Sequence, residues 1–275
     1  MPKTANFANY SNLNLNLNLN LNLNLNLNLS LDLNPLERPF QIYKTARDLA
    51  EAFASELIKE IIEASGKNAP FAIALSGGKT PGILYSVLAE EYSKAVDWRL
   101  VHFFWGDERC VPPDDPESNF GAASAIFLSR IDIPEINIHR IRGEADPLSE
   151  AERYSREIID NTRSSGGLPV FDNVILGMGE DGHTVSIFPS NSELLYSDKI
   201  CEVAIHPLTG QKRVTITGKV INNSDAVTFL VTGQSKAEKV EQIFRKGSDF
   251  PASFINPSHG RLTWLLDEKA GRLIV

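Results

Sequence analysis

The sequence predicts an α/β fold: a doubly wound, mostly parallel, Rossmann-like sheet with helices on both faces, built as a single domain. Three observations carry that expectation. Strand-like and helix-like runs alternate from Phe40 onward, the pattern of a parallel sheet with crossover helices. Several strand-like runs are apolar almost throughout, as strands covered on both faces must be. The length of 275 residues suits one large α/β domain or two small ones, and 42% apolar residues suffice for a sizeable core.

The elements follow in order. Thr45 to Ala64 carries Leu49, Ala52, Phe53, Leu57, Ile61 and Ile62 at helical spacing. Phe71-Ala-Ile-Ala-Leu75 is a short apolar strand. Pro81 to Glu91 reads as a helix, with Thr80 as N-cap and Pro81 in its first turn. Leu100 to Trp105 is a second strand, followed by a Pro/Asp loop and a helix over Asn119 to Ser129. Asn137 to Ile141 is a weaker strand. Leu148 to Arg163 is a helix and Asp172 to Leu176 a strand. Asp225 to Val231 is a strand, Ser235 to Phe244 a helix, and Leu262 to Leu266 the last strand.

The folded domain is expected over residues 40–275. Before it, Asn12 to Leu29 is nine Asn-Leu pairs. Period two suggests a strand, but strands usually run about 3–10 residues. A signal peptide needs a continuously apolar stretch, which alternating Asn forbids. Residues 1–39 are therefore expected to form a low-complexity, disordered tail, its Asn-rich composition carrying a risk of β-aggregation.

Charge and cysteine content limit the partners. With 27 Lys and Arg against 35 Asp and Glu the net charge is −8, which disfavours generic binding to nucleic acid or anionic membrane. No run of 18 apolar residues exists to span a bilayer. Cys110 and Cys201 form neither a zinc spacing nor a disulfide framework, so a reduced cytoplasmic setting is expected. An acidic chain that binds an anionic small molecule needs a few local cations.

In doubly wound sheets ligands sit beyond the carboxyl ends of the strands. The loops there hold most of the unusual polar residues. Ser76-Gly-Gly-Lys-Thr-Pro-Gly82 lies between a strand and a helix, where glycines and free helix N–H groups suit a phosphate or sugar hydroxyl, with Lys79 adding charge. A plain strand-to-helix turn looks similar. Asp107-Glu-Arg109 follows a hydrophobic strand; it is either a solvated charge triplet or a set in which carboxylates hold a polyol and Arg109 an anion. Asp114, Asp115 and Glu117 read as solvated loop. Arg213 and Lys236 flank the last strand–helix unit and could add charge at the same edge.

Met178-Gly-Glu-Asp-Gly-His-Thr-Val-Ser-Ile-Phe-Pro189 is the most informative stretch. Zinc sites commonly need three ligands, and His183 is the one good nitrogen donor here. A glycine-broken loop also lacks helical HExxH geometry. An imidazole oriented by a nearby carboxylate, Asp181, suits general-base work better, and Glu180 is expected to face solvent. No serine elbow of the GxSxG type is present.

Together these blocks resemble the 6-phosphogluconolactonase family. They are Ser-Gly-Gly-x-Thr-Pro, Trp-x-Asp-Glu-Arg-x-Val-Pro, Ser-Asn, Gly-x-Gly-x-Asp-Gly-His-Thr-x-Ser-x-Phe-Pro, Arg-Val-Thr-x-Thr and Gly-x-x-Lys-Ala, in that order from Phe40 to the C-terminus. The resemblance implies hydrolysis of a phosphorylated sugar lactone without metal or organic cofactor. It implies His183 as the base that activates water, Asp181 as its support and Arg109 as an active-site arginine. The candidate substrate- and phosphate-binding set is Ser76, Gly77, Gly78, Lys79, Thr80, Asp107, Asn119, Gly177, Gly179, Arg213 and Lys236. Lys79 departs from the family, where Ser is expected. The chain is expected to be a monomer or a weak homo-oligomer. Two other readings stand beside this one. An amino-sugar-phosphate isomerase or deaminase would use Asp107 as base, but lacks here the acid that follows its His. A non-catalytic sugar-phosphate sensor would not need the His183–Asp181 pair.

Overall fold

The computed structural model describes residues 39–67 and 69–275. The Asn-Leu segment, and with it the expected tail, lies outside the described residues apart from Pro39.

Six parallel strands form the central sheet, in the order β1-β11-β10-β7-β2-β3. They are β1 (Phe40–Tyr43), β2 (Phe71–Leu75), β3 (Val101–Trp105), β7 (Asn173–Leu176), β10 (Ala226–Val231) and β11 (Arg261–Asp267). Every residue of β2, β7 and β10 is buried, which is why those segments read as unbroken apolar runs. β1 was not expected. Four residues after two prolines are too few to show a period, and β1 becomes a strand by pairing with β11 at the sheet edge.

The helices are α1 (Ala46–Gly66), α2 (Lys79–Glu91), α3 (Asn119–Ile126), α4 (Pro147–Asn161), α5 (Gly218–Asn222), α6 (Ala237–Lys246) and α7 (Glu268–Gly271). α1 starts at a capping box. The Thr45 hydroxyl accepts the Asp48 N–H at 3.1 Å, and the Asp48 carboxylate accepts the Thr45 N–H at 3.0 Å. α1 and α2 pack on each other. The chain steps one way across the sheet from β2 to β3, and the other way from β7 through β10 to β11. Right-handed crossovers then put helices on both faces. Adjacent loops leave in opposite directions only between β7 and β2. That is the switch point, where a crevice must open.

Two expectations are corrected. Asn137 to Ile141 is not a strand. A 3-10 turn, Glu135–Asn137, follows Pro134, and Ile138 alone bridges to Phe103 of β3. The His139 N–H then donates to the Phe103 carbonyl at 2.8 Å. Thr80 is not an N-cap: α2 begins at Lys79 behind Gly78, whose φ of 103° is the left-handed region that favours glycine.

A second, antiparallel sheet was also not expected, in the order β4-β9-β8. It comprises β4 (Asp107–Arg109), β8 (Cys201–Ile205) and β9 (Lys212–Ile216). Gly106 joins β3 to β4, and a Cβ there would lie 2.9 Å from Val185. A short hairpin, β5 (Arg163–Ser165) with β6 (Leu168–Val170), precedes β7. Behind the site, Tyr154 of α4 pins the end of β3. Its hydroxyl accepts the Trp105 N–H at 2.8 Å and donates to the Trp105 carbonyl at 2.9 Å. Trp264 stacks on Phe229 in the sheet core, ring centroids 3.9 Å apart.

Candidate active site

The switch point is lined by the two glycine-rich loops. Ser76–Gly78 leaves β2 and Gly177–Gly182 leaves β7, and a Cβ on Gly177 would touch the Ser76 hydroxyl. Gly77 packs so tightly on the Asn119 carboxamide that a Cβ would overlap it. Asn119 cannot easily give way. It is 3% exposed, and its Nδ2 donates to the Asp107 carbonyl at 2.9 Å and to Asp107 Oδ1 at 3.3 Å. Asp107 Oδ2 accepts the Ser186 hydroxyl at 2.6 Å. Asn119, Asp107 and Ser186 thus tie three loops to one buried carboxylate. Ser186 was missed, although it stands inside the most informative stretch.

In the Asp107-Glu-Arg109 triplet both carboxylates are buried and Arg109 is half-buried. Glu108 is 2% exposed and serves α3. Its carboxylate accepts the N–H groups of Arg109, Asn119 and Phe120, each at 2.8 Å, and the Ser118 hydroxyl at 3.0 Å. Burial pushes its pKa up, and those donors oppose the shift. Two of the orphan N–H groups of α3 find their acceptor there.

His183 ends the loop after β7. The Asp181 carboxylate accepts from His183 Nδ1 at 2.6 Å and from the His183 N–H at 3.1 Å. Burial raises the Asp181 pKa, but the His183 hydrogen bond and charge outweigh it and hold it at about 2. An ionised Asp181 fixes the tautomer with the proton on Nδ1 and leaves Nε2 as an acceptor. Gly179 makes room, because a Cβ there would overlap both His183 and Asp181. The loop is closed by the Gly179 N–H donating to the His183 carbonyl at 2.8 Å and the Thr184 hydroxyl donating to the Gly177 carbonyl at 2.9 Å. Val185 then holds φ of 45° while buried. That costs a β-branched residue about 1–3 kcal/mol, and it reverses the chain so that Ser186 meets Asp107. Glu180 is exposed, as expected. Among the described residues no group of three or more His, Cys, Asp and Glu is placed to hold a metal ion.

The cations arrive by separate routes. Arg213 does not flank the last strand–helix unit; it lies on β9, directly opposite Arg109 of β4. The two guanidinium groups belong to one cross-strand pair, an arrangement that like charges disfavour. Arg109 Nη1 donates to the Glu117 carbonyl at 2.6 Å. Arg213 Nη2 donates to Gln211 Oε1 at 3.2 Å, and Nη1 lies 3.9 Å from Asp107 Oδ2. The Nε of each arginine is buried without a partner. Burial lowers the Arg213 pKa; the Asp107 charge opposes the shift and Arg109 adds to it. Glu117, read as solvated loop, therefore holds Arg109 through its carbonyl.

Lys236 ends a 3-10 turn after β10, and its pKa is lowered by burial while Glu180 and Asp181 oppose the shift. The Thr80 and Thr232 hydroxyls, 2.7 Å apart, tie the start of α2 to the loop that carries it. α2 has no side-chain cap, so its first N–H groups remain available to an anion. Lys79 is exposed at that end.

Most of the chain matches a known family. The family model described as glucosamine-6-phosphate isomerases/6-phosphogluconolactonase matches residues 44–264. The chain belongs to that family. A 6-phosphogluconolactonase of Haemophilus influenzae is 40% identical over 231 residues, 82% of this chain and 97% of that protein. One of Synechocystis sp. is 41% identical over 216 residues, 77% of this chain and 88% of that protein. The solved structure of 6-phosphogluconolactonase from Trypanosoma brucei superposes with a TM-score of 0.79 at 28% identity, covering 87% of this chain and all of that one. The family match begins inside the described domain and leaves out the Asn-Leu repeat.

Proposed function

We propose that the protein hydrolyses 6-phospho-D-glucono-1,5-lactone to 6-phospho-D-gluconate by general-base activation of water, the lactone-opening step of the oxidative pentose phosphate pathway. Curated relatives at about 40% identity over most of the chain carry the activity. The observation that supports the mechanism is the hydrogen-bonded Asp181–His183 pair at the switch point.

In this mechanism His183 Nε2 takes a proton from a water as the water attacks C1. The carbonyl becomes an oxyanion. Arg109, or the N–H groups of the Gly177–Gly182 loop, stabilise it. When the ring C1–O bond breaks, the imidazolium returns its proton to the departing C5 oxygen. A positioned base contributes ~10²–10⁴ in rate. Arg213, Lys236, Lys79 and the uncapped start of α2 hold the phosphate and so position the ring. Ser76, Gly77, Gly78 and Thr80 shape that cradle, Gly177 lies against Ser76, Gly179 leaves room for the Asp181–His183 pair, and Asp107 with Asn119 braces the loops.

The isomerase reading gains no support from the geometry. Both Asp107 oxygens are engaged, by Asn119 and by Ser186, and the residue is 5% exposed. That environment suits a brace better than a mobile base. No helix among the described residues is long and apolar enough to cross a membrane. We propose a cytoplasmic enzyme, monomeric or weakly homo-oligomeric, which sedimentation of the purified protein will check.

The deciding assay follows phospholactone hydrolysis by purified protein with and without EDTA. Activity that survives chelation is expected. Activity abolished by EDTA, or ammonia release from glucosamine 6-phosphate in place of lactonase activity, would overturn the reading.

A further inference from the structure

His206 follows β8 and opens the turn to β9. Its imidazole packs edge-on against Phe188, ring centroids 5.1 Å apart. The same Phe188 ring carries His183 at 4.6 Å and the Arg213 guanidinium at 5.7 Å. His206 therefore stands one aromatic ring away from the base and beside the buried arginine.

Its orientation is set by the turn. The N–H groups of Leu208 and Thr209 both point at His206 Nδ1, each at 3.3 Å. The backbone closes the same turn, with the His206 N–H donating to the Gln211 carbonyl and the Gly210 N–H donating to the His206 carbonyl, both at 2.9 Å. Two donors on Nδ1 require that nitrogen to be unprotonated, so the proton sits on Nε2. Partial burial lowers the pKa, and the Arg213 and His183 charges add to it, with Asp181 opposing and Arg109 adding. Near pH 7 the ring is thus a neutral N–H donor of fixed tautomer. It has no other hydrogen-bond partner among the described residues. Gln211 at the far end of the same turn accepts from Arg213, so one short turn sets both the guanidinium and the imidazole.

We propose that His206 is a substrate-binding residue that donates its Nε2–H to a phosphate oxygen of the substrate, beside Arg213. A neutral donor suits this position. The Arg109–Arg213 cross-strand pair already concentrates positive charge beside His206, and a phosphate accepts charge-assisted and neutral hydrogen bonds together, so a neutral donor adds a contact there without adding to that repulsion. This inference rests on the phospholactonase reading for the identity of the phosphate ester, but not for anion binding itself.

The test separates the two nitrogens. In His206→Asn the carboxamide oxygen replaces Nδ1 as acceptor for the turn, while the Nε2–H is lost. In His206→Gln an amide N–H reaches towards the place of Nε2. For His206→Asn we expect a five- to twentyfold higher KM for the phospholactone, a parallel weakening of competitive inhibition by inorganic phosphate, and kcat within about threefold of the parent, the order a single hydrogen bond supplies. Hydrolysis of unphosphorylated glucono-1,5-lactone should be unchanged. His206→Gln should recover part of the phosphate affinity. Phosphate-dependent thermal stabilisation of the full chain is measured beside the kinetics, so that His206 can be judged even if the parent protein proves inactive on the lactone. Unaltered phosphate affinity in His206→Asn would overturn the proposal. So would a fall in kcat with phosphate binding intact, which would move His206 to the reacting end.

Discussion

Arg109 and Arg213 stand directly opposite each other on antiparallel strands, and the Nε of each is buried without a partner. A cross-strand pair of like charges is destabilising by itself, and an anion bound at Arg213 offsets that cost. Replacing Arg213 with Gln removes one charge-assisted hydrogen-bonding group, worth about 1.5–3 kcal/mol. KM for the phospholactone should rise by roughly 10- to 100-fold. The thermal stabilisation produced by inorganic phosphate should shrink with it. Equal phosphate stabilisation of parent and variant would remove Arg213 from the anion site.

The Asp181–His183 hydrogen bond makes a second prediction. His183→Ala should lower kcat by at least about 10² with a smaller effect on KM. Asp181→Asn keeps the size of the side chain but not its charge, so the imidazole is no longer held with Nε2 as acceptor. Its kcat should fall in the same direction. Steady-state kinetics on variants with parental melting temperatures decide this; near-normal turnover of His183→Ala would refute the assignment.

Gly77 leaves no space for a methyl group beside Asn119, which Asp107 holds in place. Gly77→Ala should lower the melting temperature and raise KM, because the cradle loop must shift. Adding Asn119→Ala makes room for that methyl. The double variant should therefore lose less stability than the two single costs combined, by a coupling of about 0.5–3 kcal/mol. Strict additivity in thermal unfolding would show that the two residues do not press on each other.

A pair of imidazoles, His139 buried and His102 half-buried, predicts an acid-sensitive edge of the sheet. His102 Nδ1 lies 2.9 Å from His139 Nε2, and His139 Nδ1 lies 2.7 Å from Glu157, with Arg153 nearby. Burial lowers both histidine pKa values below the ordinary 6.5, chiefly against the opposing pull of Glu157 for His139. The fold favours the neutral rings. Their contribution is therefore complete above about pH 6.5 and is lost as pH falls through the lower folded-state values. The melting temperature should fall as pH drops below 6.5, and His139→Gln should flatten that slope. An unchanged slope in the variant would place the acid sensitivity elsewhere.

The main architecture was readable because burial on both faces leaves little choice of residue. β2, β7 and β10 are wholly buried, and their segments could be apolar strands and little else. The second sheet was not read, because β4 has three residues and β9 hides its strand inside an Arg-Val-Thr-Ile motif that looks functional. The segment at Asn137, read as a weaker strand, is not one, because Pro134 and a 3-10 turn leave one bridging residue. The charges of Asp107 and Glu108 left two readings open, a solvated triplet or carboxylates that hold a polyol, and neither reading included their role as buried braces. Their burial depends on Ser186, 79 positions from Asp107, and on the start of α3 at Asn119, folded back over them, contacts that no local pattern predicts.

What the sequence by itself determined is the alternation of elements, the strand ends at which polar loops collect, and the closeness of Asp181 to His183, because two residues' separation keeps them within reach in any folded loop. Tertiary structure alone decided that Arg213 faces Arg109, that Asp107 braces three loops and that His206 shares an aromatic ring with His183. Those relationships join residues well separated along the chain, and they exist only once the fold has set which strands and loops are neighbours.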